Sequence, residues 1–194
     1  MRDLPEDLAG MLARNPVIAA VFGVENVTGF LASECRVCLL ANVALHELEG
    51  LIAVLSAAGK FTFVNVDNCS GLGSDRGAIE YLKKIGTQGV VSTKTALIQR
   101  ANAMGMVTIH KVFVTDRSNL PRSALAVEQS KPALVQIMPW PVVAVLEPGE
   151  IRALSPYIAA GFIKTAPDVA AALREGATGV STSSPELWDL AVRQ

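Results

Sequence analysis

The chain is short of the residues that usually carry chemistry. Its 194 residues include three cysteines and two histidines, and aromatic residues make up 5%. Three cysteines cannot complete a disulfide framework. Cys35 and Cys38 form a C-x-x-C, but no second ligand pair accompanies it, and neither His46 nor His110 stands at a zinc spacing. The motif runs straight into Val37-Cys38-Leu39-Leu40, which reads as small core residues in and before a strand. No Ser-His-Asp triad, paired-glutamate site or metal cluster emerges, so no metal and no cofactor are expected. With so few aromatics and no RNA-recognition or KH motif, the chain lacks a stacking platform for bases. A net charge of −1 excludes a protein that coats nucleic acid without specificity. Charged residues are 18%, too few for a disordered chain when 51% are hydrophobic. Apolar runs such as Val17 to Phe22 fall far below the about 18 residues that cross a bilayer. The opening Met1-Arg2-Asp3-Leu4-Pro5-Glu6-Asp7 has acids and no apolar h-region, unlike a secretory signal, so a cytoplasmic protein with no membrane partner is expected.

What the chain does have is core. A mean hydropathy of +0.38 suits strands buried on both faces, as in parallel α/β sheets. The length suits one domain, taken here as 1–194. Eight short apolar runs recur: Val17–Phe22, Val37–Asn42, Phe61–Val66, Gly89–Thr93, Val107–Val114, Ala133–Met138, Tyr157–Ala160 and Gly179–Thr182. Helix-like stretches lie between them. Leu45–Ala58, Asp75–Ile85, Thr95–Met104 and Ala166–Glu175 are each followed by glycine, which supplies a left-handed C-cap. Ser183-Ser184-Pro185-Glu186 has capping-box spacing and predicts a last helix. Strands alternating with helices imply parallel pairing, and eight units imply a compact (β/α)8 TIM-barrel-like fold. An open doubly wound sheet is the competitor, but Val21-Phe22-Gly23-Val24-Glu25 is no dinucleotide fingerprint. Gly89-Val90-Val91-Ser92-Thr93 echoes Gly179-Val180-Ser181-Thr182, as two similar barrel halves would.

In such a barrel the loops after the strands gather at one mouth. Reading them in order gives Asp67, then Ser92, Thr93 and Lys94, then Asp116, Gly161, and finally Ser181, Thr182 and Ser183 as candidate ligand residues. The last two loops suit a phosphate. Gly161 lets backbone approach an anion, and Ser181, Thr182, Ser183 and the start of the last helix offer donors. These hydroxyls could instead only cap the helix. Lys94 could be a phosphate cation, a Schiff-base lysine or one half of a structural ion pair. Asp67 and Asp116 could hold hydroxyls, act as general bases or order their loops. His110 lies inside an apolar run and reads as an interior imidazole.

From Asn15-Pro16-Val17 to Glu186-Leu187-Trp188 the chain resembles the glycerol-3-phosphate-responsive antiterminators, or glycerol uptake operon antiterminator regulatory proteins. The pieces are Gly71-Leu72-Gly73-Ser74-Asp75, Ser92-Thr93-Lys94, Val112-Phe113-Val114-Thr115-Asp116 and Ser181-Thr182-Ser183. The resemblance implies a barrel regulator, not an enzyme, that senses glycerol 3-phosphate and binds leader mRNA to prevent premature transcription termination. The chain departs from the family pattern at the ligand end. Asn65 stands for a histidine, Gln136 for a glutamate, Trp140 for a glycine and Ala160 for a glycine. Residues 76 to 131 hold nine Lys/Arg against three acids, with eight against fifteen elsewhere. Lys83, Lys84, Arg100, Arg117 and Arg122 are therefore the candidate RNA contacts, and a homo-oligomer would set two such patches side by side. The alternative is a barrel aldolase or isomerase acting on a triose or sugar phosphate, with Lys94, Asp67 or Asp116 as catalytic groups.

Overall fold

A computed structural model describes residues 4–190. Eight parallel strands close into a barrel in sequential order. They are β1 (Val17–Phe22), β2 (Val37–Ala41), β3 (Phe61–Asn65), β4 (Gly89–Ser92), β5 (Val107–Phe113), β6 (Leu134–Met138), β7 (Tyr157–Ala160) and β8 (Gly179–Thr182). All eight expected runs are strands of this barrel, trimmed by a residue at some ends. β1 closes the ring against β8, pairing Val17 with Val180 and Ile18 with Ser181. β4 and β8, the two strands that echo each other in sequence, stand on opposite sides of the ring.

Helices fill the crossovers: α1 (Glu6–Arg14) before β1, then α2 (Val27–Ala32), α3 (Leu45–Ala57), α4 (Arg76–Lys84), α5 (Thr95–Ala103), α6 (Leu120–Ser130), α7 (Pro148–Ala153) and α8 (Ala166–Arg174). Gly59, Gly86, Gly105 and Gly176, which follow α3, α4, α5 and α8, all have positive φ, as the C-cap reading requires. Asp75 caps α4 by accepting from Ala78 N–H at 2.9 Å, and Thr165 caps α8. The sequence reading missed α1, α2, α6 and α7, and it missed a two-stranded outlier in which Val43–Ala44 pairs with Cys69–Ser70. α2 and α7 are only six residues long, and none of the four helices is followed by a glycine to mark its end.

Strand alternation produces two cores. Outward residues pack under the helices. Inward residues, including Ile18, Leu39, Phe63, Val91, Ile109, Leu134 and Ile158, fill the lumen. Leu8 and Leu12 of α1 close the lumen from below, each buried leucine contributing roughly 1.5–3 kcal/mol. The barrel is therefore solid beneath its mouth. Gly89 makes that packing possible, since a Cβ there would fall 2.4 Å from Cδ1 of Phe63.

The C-x-x-C is part of this core, as the sequence indicates. Cys35 and Cys38 are free and buried. The Cys35 thiol donates to the Val17 carbonyl, and burial pushes the Cys38 thiol up to about 12. A thiol held protonated in this way is a poor nucleophile and a poor metal ligand.

Candidate functional site

The parallel barrel brings every strand's C-terminal end, and so both Ser92 and Ser181, to one mouth. There the lumen turns polar. Seven strands each contribute an inward residue to a cavity of about 190 Å³: Ala20, Leu39, Asn65, Lys111, Gln136, Ala160 and Ser181. Its rim is the β7 and β8 loops, with Gly161, Phe162, Lys164, Ser183 and Ser184. Lys111 and Lys164 are its charged residues, and no acid among the described residues lines it.

Four of the expected residues meet here: Gly161, Ser181, Thr182 and Ser183. Ser181 is 5% exposed, in register between Ile18 and Ala160. Gly161 has φ +78°, which its turn demands. Phe162 takes φ +61° without being glycine, and is 70% exposed at the rim. Such backbone strain is concentrated at ligand sites. Thr182 ties the two loops together. Its hydroxyl donates to the Ile163 carbonyl at 2.7 Å and accepts from Ser184 N–H at 3.1 Å.

The last helix is a correction. Ser183 to Glu186 opens no α-helix but one 3₁₀ turn, Pro185–Leu187, whose N-cap Ser184 makes no side-chain bond. The chain turns back to bury Trp188, whose indole N–H donates to the Thr182 carbonyl at 3.1 Å. The ring packs edge-on against Phe30 at 5.9 Å, and Asn15 donates to the Trp188 carbonyl at 2.7 Å. Burial of that indole outweighs helix propagation. Any anion at this end would meet a turn and loop amides rather than a full helix terminus.

The other expected residues lie outside the cavity lining. Asp67 follows β3 and accepts from Ser92 Oγ at 2.7 Å, Thr93 N–H at 2.6 Å and Thr93 Oγ1 at 2.9 Å. Lys94 Nζ donates to Ser74 Oγ at 2.5 Å, pinning the β3 loop to the β4 loop. Asp116 is exposed and caps the turn after β5; hydrogen bonds from Ser118 hold its carboxyl below the usual range. His110 is interior as expected, its Nδ1 2.7 Å from Ser130 Oγ. Burial lowers its pKa.

The residue that sequence reasoning missed is Lys111. It counted only as one basic residue among nine, yet alternation along β5 turns His110 outward and Lys111 into the lumen. A lysine within a strand, between Ile109 and Phe113 on the same face, was the available signal. Asn65 and Gln136 were noted as departures and not as site residues. They are 2% and 3% exposed, and each leaves its amide oxygen without a donor.

Of the basic candidates, Lys83 and Lys84 end α4, Arg100 lies in the last turn of the neighbouring α5, and Arg122 is on α6. Arg117 is held by Glu147 at 3.1 Å and Glu150 at 3.3 Å. Among the described residues no group of three or more His, Cys, Asp or Glu could hold a metal, and no helix is long and apolar enough to cross a membrane.

Residues 17–188 match the sequence profile of the glycerol-3-phosphate responsive antiterminators. The chain belongs to this family. Among antiterminator structures, it superposes on a glycerol uptake operon antiterminator regulatory protein from Listeria monocytogenes with a TM-score of 0.86. Identity there is 23%, covering 96% of this chain and 98% of that one. A glycerol uptake operon antiterminator-related protein from Thermotoga maritima gives a TM-score of 0.79 at 25% identity, over 91% and 99% of the two chains. The chain is also 29% identical to the uncharacterised protein YgcP of Escherichia coli over 185 residues, 95% of this chain and 97% of YgcP.

Proposed function

We propose that this antiterminator-family chain is a regulator and not an enzyme. Its barrel mouth binds a small phosphorylated ligand, glycerol 3-phosphate or a related phosphate, and its basic outer face contacts leader mRNA. The observation that carries the reading is the cavity itself. Ser181, the Gly161 turn and Lys164 converge on one small basin that no described acid lines. Its size suits a few carbons and a phosphate rather than a nucleotide. Lys94, Asp67 and Asp116, the candidate groups for an aldolase or isomerase, are otherwise engaged. Asp67 takes three hydrogen bonds, Asp116 caps a turn, and Lys94 is held by Ser74.

The test is a melting-temperature titration with glycerol 3-phosphate, because a ligand that binds only the folded state raises stability. Ser181→Glu places a carboxylate where the phosphate would sit. Binding should be lost while circular dichroism and the unliganded melting point show the barrel intact. Unchanged affinity in a folded variant rejects this anion site. Turnover of triose or sugar phosphates by pure protein would favour the enzyme instead.

A further inference from the structure

The inner wall of the cavity carries a charge that the proposed phosphate does not use. Lys111 and Gln136 are register partners on β5 and β6, and Asn65 ends β3 on the same lumen. No described acid forms an ion pair with Lys111; its Nζ lies 6.0 Å from the Phe113 ring centroid. Asp67 acts on it only at a distance, with both carboxylate oxygens already bonded to Ser92 and Thr93. A half-buried ammonium without a counter-ion is costly, and burial lowers the pKa of Lys111 accordingly. Lining the same cavity, Asn65 Oδ1 and Gln136 Oε1 are buried acceptors with no donor. Asn68 Oδ1 fixes the Asn65 amide by accepting from its Nδ2 at 3.1 Å.

The wall therefore needs two things from a ligand: an anion for Lys111, and hydroxyl donors for the two amide oxygens. Glycerol 3-phosphate, with its phosphate at the β7 and β8 loops, supplies the hydroxyls but leaves Lys111 unmatched. A carboxylate next to a hydroxyl supplies the anion and, from the adjacent carbon, a donor for one amide oxygen; a second hydroxyl on a four-carbon ligand supplies the other. Resting on the phosphate site proposed above, we propose that Lys111 pairs with a ligand carboxylate while Asn65 Oδ1 and Gln136 Oε1 accept from the ligand's hydroxyls. The ligand is then a phosphorylated hydroxy acid of three or four carbons rather than a phosphorylated polyol.

Isothermal titration of the full chain with inorganic phosphate, glycerol 3-phosphate and 3-phosphoglycerate tests this. The phosphoglycerate should bind tighter than glycerol 3-phosphate by about tenfold or more, the scale of one added hydrogen bond to a charged group. Lys111→Met should remove that preference. Gln136→Glu puts an acid beside Lys111 and should reverse it, which keeps the test open if Lys111→Met fails to fold. Glycerol 3-phosphate binding as tightly as phosphoglycerate, or a preference that survives in folded Lys111→Met, overturns the subsite and leaves the phosphate site standing. Failure of all three compounds to bind removes both.

Discussion

At the scale of single residues, the site is governed by which face of a strand a side chain occupies. His110 and Lys111 are neighbours in sequence with opposite fates. His110 is pressed between β5 and α6 against Ser130, and Lys111 enters the lumen. The histidine makes a testable contribution to pH dependence. Desolvation lowers its pKa from 6.5, opposed by a hydrogen bond with the Thr93 backbone and by the distant Asp67 charge. The unfolded chain therefore binds the proton more readily than the native one. The contribution of the neutral ring to stability is complete above the unfolded pKa and is lost as pH falls through and below it. Urea melts between pH 7.5 and 5 should show stability falling on acidification. His110→Gln should flatten that part of the profile, and a variant with the same slope as wild type would assign the effect elsewhere.

At the scale of elements, strand pattern and glycine placement did most of the specification. Gly89 begins β4 where the Phe63 ring lies across the lumen. Gly89→Ala forces that ring or the β4 backbone to shift, and overpacking of this kind costs about 1–3 kcal/mol. Chemical denaturation should show a loss in that range with ligand affinity little changed, because the clash lies below the mouth. Stability equal to wild type would mean that the Phe63 ring moves freely. The final 3₁₀ turn shows the opposite case. Capping-box spacing at Ser183–Glu186 is a local signal for a helix, and a distant contact defeated it. Trp188 meets Phe30 and Asn15, from the other end of the chain, where β8 pairs with β1.

At the scale of the whole molecule, the charge asymmetry falls on successive outer helices. Lys83, Lys84 and Arg100 are exposed on α4 and α5, which pack together, and Arg122 follows on α6. Arg117 is already neutralised by Glu147 and Glu150 and contributes less net positive potential. In a chain of net charge −1, affinity for RNA has to come from such a local patch. A Lys83→Glu, Lys84→Glu double variant should weaken leader-RNA binding and flatten its salt dependence. The log–log slope should fall by roughly 0.7 unit for each single-strand phosphate that the variant no longer neutralises. Phosphorylated-ligand affinity should be retained, because both residues lie away from the mouth. If the wild-type protein binds no RNA in a salt-sensitive way, with or without ligand, the regulator reading fails.

The sequence by itself determined the barrel. Eight buried β-branched runs, each needing both faces covered, and left-handed glycines closing helices between them leave few other arrangements. It also placed Gly161 and Ser181 at one end, because any parallel barrel gathers the C-terminal ends of its strands and the loops after them at one mouth. Only the tertiary structure decided who occupies that mouth. Asp67 and Lys94 stand out in the sequence and Lys111 does not, yet Asp67 is bonded to Ser92 and Thr93 and Lys94 to Ser74. Lys111 lines the same cavity as two amide oxygens without donors. The physical reason is that a side chain's partners are set by strand register and barrel closure, long-range relations that local spacing does not encode.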